Sequence, residues 1–88
     1  MKYFWYYDVG FFFEVQSFNY QCTLGYCLPA YGESIHGSTE DVAEACTKDH
    51  PRCKAYQYSA KAGYGLLCLS AMNEGIDGDF KNCVKSQG

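Results

Sequence analysis

The chain has 88 residues and a formal net charge of −3, which makes it one small acidic domain. That balance leaves no basic footprint for nucleic acid or for an anionic membrane surface. Six cysteines, Cys22, Cys27, Cys46, Cys53, Cys68 and Cys83, form an even set. In so short a chain they read as a disulfide framework closed in an oxidising, extracellular compartment. A zinc site would need close cysteine pairs, but the shortest gap, Cys22 to Cys27, holds four residues. His36 and His50 do not supply a finger-like spacing either, so neither a metal nor a cofactor is expected.

The chain opens on "MKYFWYYDVGFFFEVQ", and ten of its sixteen aromatic residues fall within the first twenty positions. Tyr3, Trp5, Tyr7, Val9, Phe11, Phe13 and Val15 make the odd positions apolar throughout, while the even ones include Lys2, Asp8, Gly10, Glu14 and Gln16. This period of two, in residues of high strand propensity, predicts extended chain over residues 1–18, with a bend or turn at Gly10. The segment is too short and too interrupted by Asp8 and Glu14 to span a bilayer. It also lacks a small-residue cleavage site, so the chain reads as a mature protein or an excised domain without a signal peptide.

Residues 19–88 form the disulfide-stapled domain proper. Within them "HGSTEDVAEACTKDHP" predicts a short helix, because the Ser38 or Thr39 hydroxyl can cap the first turn while Asp41 reaches back. Glu40, Asp41 and Glu44 suit the positive end of the helix dipole, and Val42 and Cys46 share the apolar stripe. His50-Pro51 stops the helix, with His50 serving as a cation at its C-terminus. Alternation in "CKAYQYS", a glycine-rich turn through Gly63-Tyr64-Gly65, the apolar "LLCLS", a polar loop "MNEGIDGD" and a final "FKNCVK" complete the pattern. The expected fold is a small disulfide-rich α+β domain, one short helix packed on an antiparallel sheet.

The run "STEDVAEACTKDHPRCKAYQYS" followed by "LLCLS" resembles the core of a PAN/apple domain over residues 34–70. The shared features are a capped helix with a cysteine in its last turns, a Pro-Arg-Cys whose cysteine follows after six intervening residues, an Ala-aromatic-x-Tyr strand and a Cys-Leu strand. The resemblance implies a Cys46–Cys53 pair, and closing so short a loop at a helix stop is geometrically easy. Val42 stands where the family usually carries a second helix cysteine, the partner of the cysteine in the Cys-Leu strand. Cys22, Cys27, Cys68 and Cys83 are therefore left with three possible pairings. The family habit of joining the chain ends points to Cys22 or Cys27 with Cys83, and the other with Cys68. The resemblance further implies an extracellular binding module without catalytic activity, which contacts proteins and in some adhesins sugars.

The residues themselves agree that the chain is not an enzyme. An even cysteine count leaves no thiol nucleophile, and Asp77 and Asp79 sit in a Gly-Asp turn without the order of a calcium loop. No N-x-Ser/Thr sequon is present, so N-glycosylation is not expected. Two binding surfaces stand out. Tyr3, Trp5, Tyr7, Phe11 and Phe13 would form an apolar face that a soluble monomer hides, either by completing its own sheet or by joining copies of the chain. Exchange between copies without ring closure gives a filament, and homo-oligomerisation or contact with another extracellular protein is the expected partnership. The alternative is a monomeric carbohydrate-binding, adhesin-type module using the loop residue Tyr64 with Tyr56 and Tyr58. A small secreted effector or inhibitor also fits the size and cysteines, without a motif of its own.

Overall fold

Ser38 starts the helix as the capping pattern requires. Its hydroxyl accepts from the Asp41 N–H at 3.3 Å, and its own N–H donates to Asp41 Oδ2 at 2.9 Å. The approach is so close that a Cβ on Gly37, at φ +140°, would collide with the Asp41 carboxylate. The computed structural model describes residues 18–87, so Tyr3, Trp5, Tyr7, Phe11 and Phe13 lie outside the described residues. In chain order the elements are β1 (Phe18–Leu24), β2 (Ala30–His36), α1 (Thr39–Lys48), β3 (Ala55–Ser59), β4 (Tyr64–Cys68) and β5 (Lys81–Gln87).

The five strands form one sheet in the order β1-β5-β3-β4-β2, with every neighbouring pair antiparallel. α1 lies chiefly over β4, β3 and β2. Strand alternation sorts the side chains. Tyr56 and Leu67 face the helix and pack with Val42, Cys46, Cys53 and Cys83, while Ala55 and Cys68 face the other way and pack with Cys27. Val42 and Cys46, one helical turn apart, are both fully buried. The helix rests almost on backbone at Gly65, where a Cβ would stand 2.6 Å from the Gln57 carbonyl oxygen and 2.9 Å from Val42 Cγ2.

The second face is covered by the chain between β1 and β2 and by the long loop between β4 and β5. Polar groups hold these loops down. Gln57 Nε2 donates to the Cys27 carbonyl at 3.1 Å, and Asn82 Nδ2 donates to the Ala71 carbonyl at 3.3 Å. The Ser59 hydroxyl donates to Asp79 Oδ1 at 2.6 Å, and the Lys61 N–H donates to Asp79 Oδ2 at 2.9 Å. Asp79 is thus more than a turn residue, since it ties the β4–β5 loop to the β3–β4 turn, and those two bonds hold its carboxyl below the usual carboxylate range.

Three disulfides complete the domain: Cys22–Cys83, Cys27–Cys68 and Cys46–Cys53. Cys22 and Cys83 are direct cross-strand partners in the β1–β5 register, and Cys27–Cys68 pins the β1–β2 loop to the end of β4. Cys46–Cys53 joins the last turn of α1 to the residues just before β3. Five of the six cysteines are buried, so the disulfides supply much of a core too small to be built from aliphatic side chains alone. The β2 strand was not legible in the sequence. Its register on β4 breaks between Tyr31 and Ile35, which blurs the alternation that would announce it.

Candidate binding surface

The two sheet edges differ. β2 carries a register break, Gly32 at φ +74° and the charged Glu33, all of which blunt an edge against strand pairing. β1 reads FNYQCTL, has no charged residue, and keeps an unbroken register with β5 from Phe18↔Gln87 to Leu24↔Lys81. Among the described residues it has one hydrogen-bonded neighbour, and Asn19, Gln21, Cys22, Thr23 and Leu24 are exposed.

On the helix side, the β1–β5 half of the sheet is only partly roofed. Tyr20 bridges the gap. Its hydroxyl lies 2.8 Å from Thr47 Oγ1 and 3.3 Å from the Ala43 carbonyl, and its ring meets Tyr56 edge-on at 5.2 Å. Burial raises the pKa of its phenol. A hollow opens on each side of this bridge. One, of about 380 Å³, lies toward the start of α1 and is walled by Cys22, Thr39, Tyr58, Lys81 and Cys83. The other, of about 260 Å³, lies past the end of α1 and is walled by Phe18, His50, Lys54, Lys85 and Ser86.

The second hollow is cationic. Lys85 Nζ donates to the Cys46 carbonyl at 2.9 Å, sits 4.7 Å over the Phe18 ring and lies 3.4 Å from His50 Nδ1. Partial burial, reinforced by the Lys54 charge, lowers the Lys85 pKa from the ordinary lysine value. This arrangement revises the expected role of His50. α1 ends at Lys48 with Asp49 as its cap, and Lys85 provides the cation on the terminal carbonyls. The His50 ring instead packs against Phe18, with centroids 4.7 Å apart.

Beside the hollow, the Tyr31 hydroxyl donates to Asp49 Oδ2 at 2.6 Å, and Arg52 Nε donates to the same oxygen at 3.0 Å. The guanidinium lies 4.6 Å from the centre of the Tyr31 ring. Burial and the hydrogen bond to a carboxylate push the Tyr31 phenol up to about 12, while that hydroxyl and Arg52 hold the Asp49 carboxyl below its ordinary range. The cluster fixes the end of α1 to the β2 edge.

The three tyrosines of the carbohydrate expectation are not brought together. Tyr56 is buried, its hydroxyl 2.9 Å from Thr39 Oγ1, and the Tyr58 hydroxyl donates to the Gly37 carbonyl at 2.6 Å. Tyr64 lies in β4 rather than in a loop, is half-buried on the opposite face, and sits between His36 and Phe80. The glycines around it suggest a turn; Gly63 does lie in the β3–β4 turn at φ +77°, but pairing of Tyr64 with Ser59 and His36 starts the strand at Tyr64 and carries it through Gly65. Phe18, Tyr20, Lys54 and Lys85 escaped the sequence reading because only the β1–β5–β3 adjacency makes them neighbours.

Among the described residues no helix is long and apolar enough to cross a membrane. Comparison of the chain with protein-family models, with curated proteins and with solved structures gave no match.

Proposed function

We propose that this protein is a non-catalytic extracellular binding module of the PAN/apple kind, whose copies assemble through strand addition at the β1 edge. One observation carries the reading. β1 is a seven-residue, uncharged, unbroken edge strand with one neighbour among the described residues. Proteins ordinarily blunt such an edge, as β2 is blunted here, unless another chain is to pair with it. The occupant is the aromatic segment of a second copy, whose apolar odd positions Tyr3, Trp5, Tyr7, Phe11 and Phe13 match an extended partner. The three disulfides support the extracellular setting. A capped helix on an antiparallel sheet with a Cys46–Cys53 closure supports the family likeness.

The test is sedimentation of the non-reduced chain over a wide dilution range, with the same samples imaged by electron microscopy. Large species or fibres are expected, and they should disappear when residues 1–16 are deleted from a chain that still melts cooperatively. A full-length chain that sediments as a single 9.9 kDa species at every concentration sinks the proposal.

A further inference from the structure

Among the described residues, the exposed large apolar side chains are Leu24, Leu28, Leu69, Met72 and Ile76. Leu28, Leu69, Met72 and Ile76 belong to the two loop regions that cover the non-helix face, and Leu24 ends β1 just before the first of them. These loops are tied to each other. Glu74 N–H donates to the Tyr26 carbonyl at 2.8 Å, Tyr26 N–H to the Gly75 carbonyl at 3.0 Å, and Gly25 N–H to the Phe80 carbonyl at 2.8 Å. Asn73 Nδ2 adds a bond to the Leu24 carbonyl at 3.1 Å, and Cys27–Cys68 locks the base. Ile76, 70% exposed, is therefore presented on a braced support, which is the preorganisation a contact surface uses.

The same stretch is acidic. Residues 62–80 contain Glu74, Asp77 and Asp79 and no lysine or arginine. Asp79 is committed to Ser59 and Lys61, which leaves Glu74 and Asp77 at the surface beside Ile76. At the other end of the molecule, the hollow past the end of α1 offers the complement: the ammonium groups of Lys54 and Lys85, the His50 imidazole and the Phe18 ring.

We infer that the braced acidic loop of one copy docks by Ile76 and Asp77 into the Phe18–Lys54–Lys85 hollow of the next. The contact deepens the self-assembly reading and rests on it. Its geometry is head to tail. The loop lies beside Leu24 and the hollow beside Phe18, at the two ends of β1, which at the usual strand rise are about 20 Å apart. The hollow opens on the helix side of the sheet, whereas the loop begins behind it, where Ala71 packs against Cys27, Ala55 and Cys68. A single chain cannot join surfaces so far apart, so the contact is made between copies. The contact is heterologous and repeats from copy to copy. Charge opposition sets its register, and the exposed isoleucine supplies the apolar contact.

Charge reversal in the full-length chain tests this. Lys54 and Asp77 are both exposed, so Lys54→Glu and Asp77→Lys should leave the melting temperature unchanged. Each single reversal should weaken association about tenfold or more in sedimentation at low salt, and the double variant should regain most of the loss. Ile76→Ser should weaken association to a similar degree at low and high salt. Single variants that assemble like the wild type, or a double variant worse than either, overturn the loop–hollow contact while leaving strand addition in place. A wild-type chain that stays monomeric throughout assigns the loop to a partner of another kind, and overturns this contact together with the self-assembly reading.

Discussion

Tyr20 and Thr47 join the sheet edge to the helix: the phenol oxygen on β1 lies 2.8 Å from the threonine hydroxyl in the last turns of α1. The pair divides what would otherwise be one long trough beside the helix into the two hollows described above. Together with the bond from the same phenol to the Ala43 carbonyl, it ties the edge strand to the helix.

Removing the hydroxyl and removing the ring should therefore differ. Tyr20→Phe keeps the edge-on packing against Tyr56 and should cost about 1 kcal/mol, the usual net worth of such a hydrogen bond. Tyr20→Ala also empties a half-buried aromatic site and should cost about 2–4 kcal/mol. Urea denaturation of the non-reduced protein measures both. Equal losses for the two variants would show that Tyr20 does not brace the edge through its ring.

The disulfides should rank by the loops they close. Cys22–Cys83 and Cys27–Cys68 span 61 and 41 residues, and Cys46–Cys53 spans 7. Chain-entropy arguments assign about 4 kcal/mol to each long closure and about 2 kcal/mol to the short one, with overlap between the nested long loops. Paired Cys→Ser substitutions at 27 and 68 should thus lower the denaturation midpoint more than the same change at 46 and 53. The reverse order would place the main stabilisation at the helix end, in the native core.

The Tyr31–Asp49 bond makes stability depend on pH at both extremes. A folded-state phenol held up to about 12, against 10 for a free tyrosine, binds its proton more tightly in the folded chain. Its contribution is complete below pH 10 and is lost as pH rises from 10 towards 12. Asp49 is shifted the other way, so its contribution is complete above the ordinary value of 3.8 and is lost as pH falls through its lowered folded value. In a phenolate absorbance titration, the step near 12 should be missing from Tyr31→Phe. A wild-type curve that superimposes on the variant's, apart from one ordinary tyrosine, would refute the assignment.

Local rules wrote the helix plainly into the sequence. Ser38 and Asp41 form the capping box their spacing announces, and Val42 and Cys46 are buried on the stripe that their one-turn separation predicts. The alternation of "AYQYS" likewise became β3. Neighbours four residues apart on a helix, or two apart on a strand, are fixed by backbone geometry alone, so such signals survive without knowledge of the partner.

Tyr64 shows where that legibility ends. Its flanking glycines argue for a turn, and only the pairing of β4 with both β3 and β2 makes it a strand residue on the face opposite Tyr56. Lys54 and Lys85 lie 31 positions apart and gather at one hollow only because β5 inserts between β1 and β3. By itself the sequence determined the disulfide-rich α+β fold class and the capped helix, both of which depend on composition or short-range spacing. The tertiary structure alone decided the cysteine partners at the sheet, the unblunted edge at β1 and the opposed acidic and basic surfaces. Those depend on strand order, which brings residues distant in the chain within contact distance and leaves no local trace.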